Sequence, residues 1–341
     1  MMLYYFSEYS YRGNHAGTKA RNDVEEILGQ MGAKPINANT FELRCDEKEE
    51  HIYSNVKNRF DLMRLFLRIQ KVKKQTVVIQ YPMLAFDFQE KYFREIAKHN
   101  KLVLLIHDLH CLRIPNEEKL KKEISLLNIA SVLIVHNRFM AQKVKLLGVN
   151  VPQIYCLEMF DYLCSGPLNQ KPCEKKSIAF AGNLGKSEFL PELIKSNSQI
   201  EFKFYGSGWD DKWSNKNAKY CGSFKPEIIP EKISAGFGLV WDGNSIVDGV
   251  GPLGEYTRIN NPHKLSLYLV AGIPVIVWRK AAVAEVVEKY NVGITVERLD
   301  DLSTVLDNIS EQKYADMKQN TIKIREKLVC GDFLKSILSQ L

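Results

Sequence analysis

The sequence predicts an α/β protein of two units, each a parallel sheet covered by helices on both faces. Three observations carry that expectation. Short β-rich apolar runs alternate with amphipathic helical stretches along the whole chain, as βαβ units do. The alternation is interrupted once, at residues 160–176, FDYLCSGPLNQKPCEKK, where periodicity stops and a linker is expected. With 341 residues, each half is long enough to bury its own core.

In chain order, residues 2–6 read as a first strand, 7–16 as a polar loop and 18–31 as a helix. Val24, Ile27, Leu28 and Met31 share one face of that helix. Strands follow at 76–80, 102–106 and 131–136, with helical stretches at 55–74 and 88–99 between them. This unit closes near Glu158. The pattern restarts with strands at 177–181 and 200–205. The stretch that organises the second half is 235–278, which reads as strand, glycine-rich polar loop, helix, tight turn and strand. Its loop, with Asp242, Gly243, Asn244, Gly249, Gly251, Pro252 and Gly254, is expected to lack regular structure. Asn261 is the expected N-cap of its helix, with Pro262 in the first turn. A strand at 293–296 and helical sequence from about 302 complete the chain. Two such units leave a cleft between the carboxyl ends of their sheets, the usual place for a ligand.

Composition narrows the classes. A net charge of +7 suits anionic ligands such as nucleotides, or an acidic membrane surface, and falls short of a nucleic-acid binder. The seven cysteines contain no CxxC pair and are odd in number, which favours a reducing compartment over a disulfide framework or a zinc site. The N-terminus lacks the basic start and apolar core of a signal peptide, and no run reaches the ~18 apolar residues of a membrane span. A cytoplasmic protein is expected.

Four stretches can carry chemistry, each beside a plainer reading. Asn261-Pro-His-Lys264 puts a lysine at a helix N-terminus beyond a strand end, where dipole and charge together favour a phosphate; a solvated lysine on a capped helix is the alternative. Gly182-Asn183-Leu-Gly185-Lys186, expected between a strand and a helix, lets backbone N–H groups approach a pyrophosphate, but any βα turn favours Gly and Asn. It has neither the GxxxxGK nor the GxGxxG spacing. Ile106-His107-Asp108 ends an apolar strand, so Asp108 can serve as a general base with His107 as base or hydrogen-bond partner; the alternative is that Asp108 caps the next turn. Gly17 and Thr18 open the first helix, where they can face a phosphate or act only as a cap.

Residues 57–74 hold seven basic residues against Asp61. Such a helix can lie on an anionic membrane, though covering a sheet with a basic rim is the more ordinary use. The pairs Asp210-Asp211 and Asp300-Asp301 lack the spacing and histidine company of a metal site.

Taken together, the Gly-Asn turn, residues 105–108 (LIHD), residues 236–241 (GFGLVW) and HKLSLYLVAGIPVIV resemble a GT-B glycosyltransferase. More closely, the chain resembles a bacterial branch that includes β-1,6-galactofuranosyltransferases of cell-surface polysaccharides and the glucosyltransferase extending the O-linked glycan of streptococcal serine-rich adhesins. That resemblance implies a UDP-sugar donor held by a C-terminal domain, 177–325, and an acceptor glycan, glycolipid or glycoprotein held by an N-terminal domain, 1–159. A final helix, 326–341, is expected to return to the first domain. Lys264 would bind the diphosphate, with Gly182, Asn183 and Lys186 nearby and Asn261 at the helix start. Tyr205 and Phe224, on loops toward the cleft, would meet base and ribose. Gly17 and Thr18 would reach the donor from the first domain.

One departure is informative. Many retaining GT-B enzymes place a ribose-binding glutamate three residues after this lysine, where this chain has Leu267. Retention is thereby disfavoured. An inverting displacement needs a base, for which Asp108 is the candidate, and a stabilised leaving diphosphate, for which Lys264 is. With Lys264 and Lys186 present, no metal cofactor is expected. A UDP-sugar epimerase of the same fold and a catalytically silent partner of another transferase are the alternatives. Peripheral membrane contact and homo-oligomer formation are left open.

Overall fold

The computed structural model describes residues 2–7, 16–36, 56–83, 89–114, 116–167, 173–249 and 251–341. The chain forms two compact units. One contains Gly17–Leu157 with the first strand and Leu334–Leu341, the other Glu158–Phe333.

The first unit runs β1 (Leu3–Tyr5), α1 (Ala16–Gln30), β2 (Lys34–Pro35), α2 (Val56–Lys71), β3 (Thr76–Tyr81), α3 (Gln89–Ala97), β4 (Lys101–Ile106), α4 (His110–Arg113), α5 (Glu117–Leu127), β5 (Val132–Val135), α6 (Arg138–Leu146) and β6 (Gln153–Cys156). Its sheet has the order β2-β1-β3-β4-β5-β6, and every pair is parallel. Strands β3 and β5 are buried along their whole length, and so is β4 after Lys101. Near-continuous apolar runs are what a parallel sheet with two covered faces requires. Helices α5 and α6 start cleanly because Asn116 and Asn137 each accept a backbone N–H three residues on.

The second unit runs β7 (Ser177–Ala181), α7 (Leu190–Ser196), β8 (Glu201–Tyr205), β9 (Ala218–Gly222), α8 (Ile229–Lys232), β10 (Phe237–Val240), α9 (Pro252–Tyr256), α10 (His263–Val270), β11 (Val275–Trp278), α11 (Ala284–Tyr290), β12 (Gly293–Val296), α12 (Leu302–Asp307) and α13 (Glu311–Cys330); α14 (Asp332–Leu338) follows, and from Leu334 on it belongs to the first unit. The sheet order β9-β8-β7-β10-β11-β12 is that of a dinucleotide-binding Rossmann sheet. Strand order reverses between β7 and β10, and ligands of such sheets bind outside the carboxyl ends at that point.

Two sequence expectations are corrected, and the starting point of a third is moved. Residues 160–176 do not behave throughout as a linker: Phe160, Asp161 and Tyr162 are buried. The Tyr162 hydroxyl donates to Pro226 O (2.5 Å), and Ser266 Oγ donates to Phe160 O (2.5 Å). Their aromatic rings pack on His263 at the start of α10, so Pro and Lys content later in the stretch masked an apolar start. The glycine-rich loop contains one regular element, α9, which opens with Pro252 in its first turn. The last long helix, α13, stays with the second unit to Cys330. It ends where Gly331 takes a left-handed conformation (φ 77°), and Leu334–Leu341 belong to the first unit.

Helix α10 is held at both ends. Arg325 of α13 donates to Val270 O (2.8 Å), a cation at the negative end of the helix, and also to Gly166 O (2.7 Å). Tyr268 lies flat on β10, because a β-carbon at Gly238 would fall 2.2 Å from its ring. Glycine in an apolar strand here makes room for a neighbouring side chain.

Candidate functional site

The reversal point of the second sheet is flanked by Gly182, directly after β7, and by Trp241 and Asp242, after β10. Two glycine turns stack there. A β-carbon at Gly206 would fall 1.9 Å from Gly182 O, and one at Gly208 would fall 2.6 Å from Gly185 N. Leu184 N–H donates to Ser207 O (2.8 Å), which ties the turns together. Only glycine permits that approach, so backbone, not side chain, lines this part of the site.

Lys264, in the first turn of α10, reaches back over β7. Its Nζ donates to Asp242 Oδ1 (2.9 Å) and Trp241 O (3.2 Å) and sits 4.6 Å above the centre of the Phe180 ring. Its Cε is 3.2 Å from the position of a β-carbon at Gly182. Carbonyl, ring face and missing β-carbon confine the ammonium to one place, and the side chain is 18% exposed. Pro262 occupies the cap position, and no side chain caps α10. The first-turn N–H groups of such a helix suit an anion. Beneath, Ala181 N–H donates to the Tyr268 hydroxyl (2.7 Å), whose titration burial pushes up, so the phenol stays neutral.

The other sequence candidates divide. Asn261 is not the N-cap: it is buried, and its Nδ2 donates to Glu158 O (2.8 Å). A proline in the cap position displaced it by one residue. The turn 182–186 does not lead directly into a helix: Leu184–Lys186 form a single 3-10 turn, capped by Asn183 Oδ1 accepting from Lys186 N (3.2 Å), and α7 begins only at Leu190. Asn183 and Lys186 themselves are exposed on the same turn as Gly182. Tyr205 ends β8 inside the core, 3% exposed; its hydroxyl donates to Lys232 O (3.5 Å) and accepts from Ser234 N–H (3.3 Å). A tyrosine so enclosed is not on a loop open to a ligand. Phe224 is half-buried, its ring 3.4 Å from where a β-carbon at Gly222 would stand. Gly17 and Thr18 lie in the first turn of α1, and Thr18 is buried.

In the first unit, Asp108 follows β4. It does not cap α4, whose cap position is Leu109; its Oδ2 instead accepts from Arg113 Nη1 (2.9 Å). His107 Nε2 donates to Gln80 Oε1 (2.6 Å), which leaves that nitrogen protonated in the neutral ring. Behind them His136 is fully buried, Nε2 donating to Ile106 O (3.1 Å), and burial pushes its pKa down to about 4. Arg113, Gln80 and His136 were missed in the sequence. Only the fifth-residue spacing from Asp108 to Arg113 offered a signal.

The remaining motifs have structural uses. Asp210 Oδ1 accepts from Lys212 N–H (3.0 Å) and Asp300 pairs with Arg298. Helix α2 exposes Met63 and Leu67 beside Arg64, Arg68 and Lys71. Among the described residues, no helix is long and apolar enough to cross a membrane.

Comparison with known proteins supplies a family context. The N-terminal domain of the glucosyltransferase 3-like family matches residues 4–159, and the C-terminal domain of that family matches 178–341. The beta-1,6-galactofuranosyltransferase WbbI of Escherichia coli K12 is 28% identical over 99% of this chain and 98% of its own length. Glucosyltransferase 3 of Streptococcus gordonii is 28% identical over 97% and 95%. Among solved structures, sucrose-phosphate synthase from Thermosynechococcus elongatus superposes with a TM-score of 0.60 at 10% identity, covering 100% of this chain and 98% of that one. The lipopolysaccharide outer core galactosyltransferase WaaB superposes with a TM-score of 0.58 at 12% identity, covering 100% of both chains. At these identities the structures speak for the fold alone, which is GT-B.

Proposed function

The chain belongs to the glucosyltransferase 3-like family of glycosyltransferases, and we propose that it transfers a hexose, with inversion, from a UDP-sugar to a sugar acceptor. Galactofuranose is the first choice of sugar and glucose the second, after the names of the relatives. The acceptor is then a glycan, glycolipid or glycoprotein of the bacterial cell surface. The epimerase alternative draws no support from these relatives. We place the enzyme in the cytoplasm on its composition and cysteine pattern.

The observation that carries the reading is Lys264, held beside Gly182 at the first turn of α10 and the reversal point of the sheet. In this reading the ammonium and the first-turn N–H groups receive the diphosphate. They stabilise the charge that grows on it as the bond from the sugar's anomeric carbon to phosphate oxygen breaks. The acceptor hydroxyl attacks from the opposite face and passes its proton to Asp108. Arg113 restrains that carboxylate. Leu267, where a retaining enzyme would carry a ribose-binding glutamate, supports inversion. With Lys264 and, on the neighbouring turn, the exposed Lys186 to meet the charge of the leaving diphosphate, this route calls for no divalent ion.

A thermal-shift panel of UDP-galactofuranose, UDP-glucose, GDP-mannose and TDP-glucose tests the donor class. A ligand that binds only the native state at 100 times its Kd adds about 2.7 kcal/mol of stability. The UDP-sugars should raise the melting temperature and the others should not. A response to none of the four, or to GDP-mannose alone, would defeat the reading.

A further inference from the structure

We propose that Asp242 tunes this site for turnover, weakening its hold on a free nucleoside diphosphate more than on the sugar ester of that diphosphate. The proposal rests on the reading of Lys264 as the diphosphate ligand. Asp242 Oδ1 is 2.9 Å from Lys264 Nζ, and its side chain is 36% exposed, twice the 18% of the lysine.

The carboxylate is not needed to put the ammonium in place. Trp241 O, the face of Phe180 and the space at Gly182 already confine Lys264, and none of them carries charge. A purely structural partner for a confined lysine could be neutral. Asp242 is instead an anion on the rim of a site whose ligand is an anion, and any phosphate that reaches Nζ must share it with this carboxylate. Like charges at that range are repulsive even in a partly solvated site.

The repulsion is unequal for the two ligands. A free diphosphate ends in a phosphate monoester, whose second ionisation lies near pH 6, so near neutrality it carries about one more negative charge than its sugar ester. The sugar ester is the donor and the free diphosphate is the product. Asp242 therefore penalises product more than donor. It also offers Lys264 a partner to return to when the diphosphate leaves, so the site does not pass through an unpaired, half-buried ammonium.

Calorimetric titration of UDP and UDP-glucose into the wild type, Asp242→Asn, Asp242→Ser and Lys264→Ala tests this, with EDTA present throughout and circular dichroism as the check on folding. Both Asp242 variants should bind UDP roughly three- to tenfold more tightly than wild type. UDP-glucose should gain by a smaller factor. Unchanged or weaker UDP binding in both variants, or an equal gain for the two ligands, overturns the proposal. So does a loss that appears only when Mg²⁺ replaces EDTA, which would make Asp242 a metal ligand. Lys264→Ala keeps the two levels apart. If it leaves UDP binding intact, the diphosphate reading itself fails. If it weakens UDP binding while the Asp242 variants do not tighten it, only the role of Asp242 is lost.

Discussion

The ε-carbon of Lys264 occupies space that Gly182 leaves open, 3.2 Å from where a β-carbon would be. Gly182 also has φ +154°, a conformation that L side chains rarely adopt. Gly182→Ala should therefore push the lysine off its seat while straining the turn, with a stability loss of about 1–3 kcal/mol. Titration with UDP should show affinity reduced at least tenfold. Full affinity in the variant would mean that the lysine does not need this seat.

Asp108 presents a different question, because Arg113 already engages one of its oxygens. As the base on the acceptor hydroxyl, Asp108→Asn should lower kcat by about 10²–10⁴-fold and leave the donor KM nearly unchanged. Arg113→Ala should give a smaller loss in kcat, since it restrains the base without taking the proton. A rise in donor KM with kcat preserved in Asp108→Asn would reassign the residue to binding.

His136 makes stability depend on pH. Burial depresses its folded pKa to about 4 from the ordinary histidine value of about 6.5. The unfolded chain therefore binds the proton first as pH falls, and stability drops between about pH 6.5 and 4. A shift of this size corresponds to roughly 3 kcal/mol over that window. Urea midpoints measured from pH 7 to 4 should fall more steeply in the wild type than in His136→Gln. Parallel slopes would show that other groups set the acid limit.

Gly238 has no room for a methyl group. Its β-carbon would overlap the ring of Tyr268, whose hydroxyl takes the Ala181 N–H just before Gly182. Gly238→Ala should cost roughly 2–4 kcal/mol through overpacking and a lost buried hydrogen bond. Chemical denaturation measures that loss. UDP affinity should fall as well if Tyr268 positions the end of β7, and an unchanged melting curve would refute the packing argument.

Much of the fold could be read from the sequence because parallel strands and covering helices have local signatures. The runs that became β3, β4, β7, β10 and β11 are predominantly apolar, and the helices between them are amphipathic or apolar. Lys264 was legible for the same reason: strand, loop, proline and helix start follow one another within a single βαβ segment. The errors came where the next residue outweighed the pattern. Pro262 took the cap position expected for Asn261, and Phe160 and Tyr162 drew the start of a polar-looking stretch into the core.

By itself, the sequence determined the alternation of strands and helices, the break between two units and a lysine at a helix N-terminus, all of them properties of neighbouring residues. Tertiary structure alone decided strand order, and with it the meeting of Gly182, Asp242 and Lys264 at the point where that order reverses. It also decided that Tyr205 faces inward and that Asp108 pairs with Arg113. Such contacts join residues distant in the chain or depend on how a turn closes, and neither spacing nor composition encodes a distance through space.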